Sequence, residues 1–262
     1  MTLLAPVAAR YAAWLGLPEQ ATADTSDEDP AEVRAMPLIL RMERDQVPPR
    51  TALLEAAAAA AVALCLDERS RPEGPWYSEV GPWVEGRIRK VARRARGAHW
   101  RAVSDLPGVT VERHGAEVRA LLPWRVAQTP NAVTRLQVGG TDVAADQPGP
   151  PPDGMPVLWL APQPVMTAGK AAAQVGHATM LLAALLGAQD RVDALARWAA
   201  DGYRCAVRTA SARQWAGLSD VRSPGRAWQD DGLLLVRDAG FTEVAPGTVT
   251  VAAQFPRFSA SG

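Results

Sequence analysis

Gly169-Lys170-Ala171-Ala172-Ala173-Gln174-Val175-Gly176-His177-Ala178 follows the apolar run Val157 to Leu160, and this succession decides the fold. The apolar run reads as a buried strand, and the small-residue segment after it reads as the opening of a helix. On that helix positions 170, 174, 177 and 178 share one face, so Lys, Gln and His line up over two turns. Lys170 stands out because the chain meets nearly every need for positive charge with Arg and holds only two lysines, Lys90 and Lys170. Some 60 residues further on comes Val236-Arg237-Asp238-Ala239-Gly240-Phe241-Thr242-Glu243-Val244-Ala245-Pro246-Gly247-Thr248-Val249-Thr250-Val251. Here Asp238 ends a strand-like run, the place where open α/β sheets put functional groups.

Working outward, the rest of the C-terminal part reads as helix 169–187, helix 190–201, strand 203–209, a loop with a short helix, and strands 232–237 and 248–254. Strands alternating with helices argue for an α/β layered domain. Gln147-Pro148-Gly149-Pro150-Pro151-Pro152-Asp153-Gly154 is the clearest linker, since its prolines and glycines disfavour helix and sheet alike. The chain divides accordingly into a lead-in (1–35), an N-terminal α/β domain (36–146), the linker (147–154) and a C-terminal domain (155–258). In the lead-in, Ala9 to Leu17 is a helical candidate, and the acidic stretch Thr22 to Glu32 reads as mobile or loosely packed. Met36 to Met42 reads as a strand, Thr51 to Leu66 as an Ala-rich helix, and Val109 to Glu112 and Glu117 to Leu122 as strands joined at His114-Gly115. Leu136 to Val143 is a further short-strand candidate.

The N-terminal order parallels the C-terminal one. Pro37-Leu38-Ile39-Leu40-Arg41 precedes an Ala-rich helix much as Pro156-Val157-Leu158-Trp159-Leu160 does. From Pro37 to Pro123 is 86 residues and from Pro156 to Pro246 is 90, which fits a divergent internal duplication. The N-terminal copy has no equivalent of Gly169-Lys170, Gln174 or His177, so it would be catalytically silent.

A length of 262 residues with 48% apolar content allows two domains of ordinary size. Cys65 and Cys205 lie far apart in apolar or strand-like segments, which suggests buried free thiols and a reducing, cytoplasmic location. No charged n-region with an apolar core opens the sequence, and Ala56 to Leu66 is too short to span a bilayer. His99 and His114 have no metal-ligand companions at useful spacing, and no metal or cofactor is implied. The net charge of zero means that any polyanion would be held by a local patch. Arg87-Ile88-Arg89-Lys90-Val91-Ala92-Arg93-Arg94-Ala95-Arg96 offers one, six positive residues in ten with a helical apolar stripe. It reads as an amphipathic helix whose Arg87, Arg89, Lys90, Arg93 and Arg94 would contact phosphates, or else as a solvated face.

The two motifs, M-x-x-G-K-x-A-A-Q-x-x-H-A and D-A-G-x-T-x-x-A-P-G-T-x-T, resemble the signature of the type 2 peptidyl-tRNA hydrolase family over roughly residues 154 to 258. The resemblance implies a three-layer α/β/α sandwich on a four-stranded mixed sheet, and hydrolysis of the ester joining a peptide to the terminal ribose of tRNA. It carries catalytic roles onto Lys170, Gln174, Asp238, Thr242 and Thr250, and substrate contacts onto Gly169, His177, Gly240 and Thr248. Lys170 is expected near the start of a helix, where two roles are open to it. As an amine it would deprotonate water; as a cation it would stabilise the oxyanion, and the sequence leaves both open. The implied partner is peptidyl-tRNA, with neither DNA nor membrane. Family members commonly dimerise, so either a homodimer or an intramolecular pseudo-dimer is expected.

This sequence departs from the family at Ala161, Ala168 and Phe241, where basic residues or their neighbours are common. Three positive charges near the mouth are missing, which weakens phosphate contact. Besides a working hydrolase, a non-catalytic RNA- or protein-binding module and an esterase for another acyl substrate therefore stay open.

Overall fold

The computed structural model describes residues 3–139, 142–221 and 223–256. The first half runs α1 (Ala5–Gly16), β1 (Met36–Arg41), α2 (Arg50–Leu66), α3 (Tyr77–Glu85), β2 (Lys90–Ala95), α4 (Gly97–Ser104), β3 (Gly108–Arg113), β4 (Ala116–Leu121) and α5 (Asn131–Thr134). The second runs β5 (Val157–Leu160), α6 (Ala168–Ala188), α7 (Val192–Ala200), β6 (Ala206–Thr209), α8 (Ala212–Ser219), α9 (Pro224–Asp231), β7 (Leu233–Arg237) and β8 (Val249–Gln254). The strands form two four-stranded mixed sheets, ordered β2-β1-β4-β3 and β6-β5-β8-β7. In each, the first strand pairs parallel with the second and antiparallel with the fourth.

Local sequence accounts for many of these elements. His114 and Gly115 both take positive φ, 49° and 83°, as a two-residue turn of the right twist requires between β3 and β4. α2 is alanine over much of its length, the best helix former, and it is apolar on every side because every side is buried. α6 opens on Thr167, whose hydroxyl accepts from the Lys170 amide at 3.2 Å. By length and hydropathy α6 would also suit a membrane span, but it lies buried inside the protein.

Alternation along the strands builds the layers. Leu38 and Leu40 of β1 and Val118 and Ala120 of β4 face the main core with α2, while Ile39 and Leu121 face Trp100, Val103 and Val133 beneath α4 and α5. In the second sheet Leu158, Leu234, Val236, Val251 and Ala253 join the main core with α6, whereas Leu233, Leu235 and Ala252 meet residues of α8 and α9. Helices α2 and α6 pack against each other and make a middle layer shared by both sheets. Each lies on the third and fourth strands of its own sheet and also touches the second strand of the other, α6 against β2 and α2 against β6. At this contact the Thr179 hydroxyl donates to Ala58 O at 2.7 Å.

Two expectations change. The basic run Arg87 to Arg96 is an extended connection and strand β2, not a helix: α3 stops at the extended Gly86, and parallel pairing with β1 overrides the helical spacing of Ile88, Val91, Ala92 and Ala95. The acidic lead-in is anchored at a few points, with Thr22 fully buried and Asp27, Glu28 and Glu32 ion-paired to Arg87, Arg89 and Arg125, while most of its other residues are exposed. Around Leu136 to Val143 the described residues show only an isolated bridge, Arg94 to Gln137; residues 140 and 141 lie outside the description.

Candidate functional site

Four polar groups form a continuous chain between α6 and the end of β7. Lys170 Nζ donates to Asp238 Oδ2 at 2.7 Å and to Thr242 Oγ1 at 3.2 Å. Gln174, one turn along α6, donates from Nε2 to the same Asp238 Oδ2 at 2.7 Å. The Thr250 hydroxyl then donates to Gln174 Oε1 in a short hydrogen bond. The remaining carboxylate oxygen, Oδ1, accepts from Gly240 N at 2.7 Å. The Lys170 and Asp238 side chains are only 8% and 9% exposed, and Gln174 and Thr250 are 2% and 1% exposed, so the network is nearly dry and its groups interact strongly.

The backbone aims each member. Lys170 sits in the first turn of α6, and the Thr167 cap that starts this turn is itself held by Glu243, whose carboxylate accepts from Thr167 Oγ1 at 2.7 Å and from Thr167 N at 3.0 Å. Glu243 thus ties the loop after β7 to the α6 N-terminus, where a negative charge also suits the helix dipole. Sequence reasoning missed it, though its place one residue after Thr242 was a signal. Thr250 reaches α6 because the ladder between β7 and β8 slips: Val236 pairs with Val251 but Arg237 pairs with Val249. Across this bulge Thr250 and Val251 both face inward while Val249 belongs to the outer cluster. Gly240, at φ 84°, needs its missing side chain, since a Cβ there would stand 2.4 Å from Pro246 N.

Thr248 is not brought to the network. Its hydroxyl donates to Ala245 O at 2.7 Å and closes the turn before β8. Gly169 and His177 line the cavity that opens beside Lys170. This cavity, about 770 Å³, has largely apolar walls and is made by both halves of the chain. α1 supplies Tyr11 and Trp14, the approach to β2 supplies Arg89 and Lys90, and Leu235 comes from β7. α1 is held in place there. Trp14 Nε1 donates to Arg237 O at 3.0 Å, Tyr11 Oη accepts from Leu235 N at 2.9 Å, and Arg10 caps the last carbonyls of α3, Val84 O at 2.7 Å and Gly86 O at 2.6 Å.

The five basic residues assigned to phosphate contact part company. Arg87 and Arg89 reach the cavity rim but are neutralised: Arg87 pairs with Asp27 at 2.6 Å, and Arg89 makes a two-pronged ion pair with Glu28. The Arg89 hydrogen bonds hold the Glu28 carboxyl below its ordinary pKa. Arg89 also lies over the Phe241 ring, 5.0 Å from its centroid. Arg93 donates to Leu136 O at 2.8 Å, and Arg94 to Gln137, both away from the cavity. Lys90 turns inward. Its Nζ stands 3.1 Å from His177 Nδ1 and 3.3 Å from Ile88 O, and burial lowers its pKa to about 7. Burial, helped by Lys90 and Lys170, pushes His177 well below its usual value as well. The two lysines of the sequence, one from each half, therefore open on one cavity. Both cysteines are free and buried, and burial raises the Cys65 thiol to about 12.

A nearly dry ammonium beside a carboxylate, with two hydroxyls and a carboxamide in line, can orient a water and steady a developing oxyanion. No curated protein and no solved structure matches the chain. Residues 160–260 do match one family model, that of Peptidyl-tRNA hydrolase PTH2, so this part of the chain is similar to that family.

Proposed function

We propose that this protein is a cytoplasmic hydrolase that cleaves the ester between a peptide, or an N-blocked amino acid, and the 3′-terminal ribose of tRNA. The observation that carries this reading is the buried chain Lys170–Asp238–Gln174–Thr250, with Thr242 beside Lys170, inside the region that matches the family. Water adds to the ester carbonyl, the ribose oxygen leaves with a proton, and a free carboxylic acid and tRNA result. Paired with Asp238, Lys170 acts as a cation and donates to the carbonyl oxygen as negative charge gathers there. Asp238, oriented by Gln174 and Gly240, accepts from the attacking water, and Thr242 fixes the water between them.

The identical strand order of the two sheets, and the reciprocal way α2 and α6 reach across, support the N-terminal half as a divergent, silent copy that serves as an intramolecular partner. The alternative is a non-catalytic RNA- or protein-binding module that retains the hydrolase fold; with Arg87 and Arg89 already paired with Asp27 and Glu28, a protein partner suits it better than a phosphate backbone. Release of tRNA from an N-blocked aminoacyl-tRNA, measured for the wild-type chain and Lys170→Ala at one salt concentration, separates the two. The hydrolase reading expects clear turnover and a loss of about 10²-fold or more in the variant. Absence of wild-type turnover from low to moderate salt would leave the binding module.

A further inference from the structure

Lys90 has no role in the network around Lys170, yet it occupies the same cavity with no carboxylate within ion-pair distance among the described residues. Its four-carbon stem crosses α6 at Gly176, where an added Cβ would stand 3.2 Å from Lys90 Cδ and 3.1 Å from Ala61 Cβ. The stem therefore packs closely over the glycine. The ammonium has three N–H donors, and protein groups take two of them, Ile88 O and His177 Nδ1; the Trp83 ring centroid lies 5.2 Å away on another side. When Lys90 donates to Nδ1, His177 is the tautomer that carries its proton on Nε2. One lysine N–H then remains for a ligand; the imidazole N–H leaves the far side of the ring, so His177 holds Lys90 in place and does not share the same carboxylate. A single uncompensated cation calls for a monoanion, while the neighbouring Arg87 and Arg89 are already satisfied.

We propose that Lys90, positioned by His177 and Ile88 O, is the cation of a carboxylate-binding subsite in this cavity, one that takes an organic monocarboxylic acid whose apolar body lies against Tyr11, Trp14, Leu181 and Leu235. His177 is seven residues along α6 from Lys170, about 10 Å at 1.5 Å per residue, so the subsite is separate from the Lys170–Asp238 pair. Its lysine comes from the half of the chain outside the family match. An acid in the subsite would also supply the counter-ion that burial now denies Lys90.

The subsite does not rest on the hydrolytic reading, and a probe without an ester tests it alone. Octanoate and octanamide share an apolar body and differ in the head group. Calorimetric titration at pH 6.5 is expected to show octanoate binding at least tenfold more tightly than octanamide to the wild-type chain, and equal binding of the two to Lys90→Met. Equal binding by the wild-type chain, or a preference that survives in Lys90→Met, would overturn the proposal. A second measurement needs no variant: because the chain has only two lysines, mass spectrometry can follow Lys90 modification by an amine reagent at neutral pH. Saturating octanoate is expected to slow that modification at least tenfold, and an unchanged rate would overturn the proposal equally.

Discussion

Asp238→Asn isolates the ion pair on which the hydrolytic reading depends. In the wild-type chain Oδ2 accepts from Lys170 Nζ and Gln174 Nε2, each at 2.7 Å, and Oδ1 accepts from Gly240 N at 2.7 Å. Asparagine keeps one acceptor oxygen. Turned toward Gly240, its amide would point N–H groups at an ammonium and a carboxamide donor; turned toward Lys170, it would leave the Gly240 amide unmatched. Gln174 can relieve part of this by flipping, because Thr250 is able to accept a hydrogen bond and to redirect its own to Val236 O, 3.4 Å away. The lysine charge stays uncompensated at 8% exposure. Breaking a buried pair by removing one partner costs about 3–5 kcal/mol, against about 0.2–1 kcal/mol for exposed pairs. With the Gln174 relief, about 3 kcal/mol is expected for Asp238→Asn. Lys170→Met leaves the carboxylate two donors and is expected to cost less, about 2 kcal/mol. Once either partner is gone the other has little left to lose, so the double variant should fall short of the sum by about 1.5–3 kcal/mol. Urea unfolding of all four proteins gives that coupling directly. Additivity within about 0.5 kcal/mol would refute the buried-pair argument, whatever the activities showed.

Gly176→Ala is expected to lower stability by about 1 kcal/mol in thermal melts, because crowding of Lys90 and Ala61 outweighs the helix-propensity gain of about 1 kcal/mol; an unchanged or raised melting temperature would contradict this. Glu28→Gln should release Arg89, while Arg87 keeps Asp27, raise tRNA affinity several-fold at low salt and steepen the salt dependence by about one phosphate contact in anisotropy titrations. Lys90, whose surroundings include Cys65, His177, Lys170 and Ile88 O, has a folded pKa of about 7 against 10.5 when unfolded, so between those values the unfolded chain binds the extra proton. The stability of the wild-type chain relative to Lys90→Met should therefore rise with pH from about 7 to 10.5 and flatten below; a pH-independent difference would show that Lys90 is solvated.

The site was legible in the sequence where one element sufficed to define it. Lys170, Gln174 and His177 share a face because α6 is a regular helix, and Asp238 is reached because β7 ends where its apolar run ends. What escaped depended on partners distant along the chain. The spacing of Arg87 to Arg96 satisfies a helix, but β1 offers a parallel ladder, and no local pattern announces that choice. The acidic segment looks like solvated chain until the arginines some 60 residues away meet it, Arg87 with Asp27 and Arg89 with Glu28. The β7–β8 slip that aims Thr250 involves no Gly or Pro within the slipped residues, so nothing in Val249-Thr250-Val251 marks it.

The three departures from the family pattern look different once the cover over the cleft is considered. Ala168 is fully buried and Ala161 is 6% exposed, so a lysine or arginine at either position would carry its charge into the interior without an obvious partner. Phe241 stands under a guanidinium that the other half provides, Arg89 at 5.0 Å. The N-terminal half contributes positive charge near the mouth, where Arg87, Arg89 and Lys90 line the same cavity as Lys170. A mouth built this way differs from one built on the catalytic half alone in one physical respect: its cations can be masked by a third segment, and Asp27 and Glu28 mask two of them. On the proposed reading, phosphate affinity and catalytic competence would be set by different residues, the first by how readily Glu28 yields Arg89 to a polyanion and the second by Lys170 and Asp238. On that reading a chain with a complete Lys170–Asp238–Gln174–Thr250 network would be expected to pair turnover with weak tRNA affinity, so weak binding by itself would say nothing against turnover.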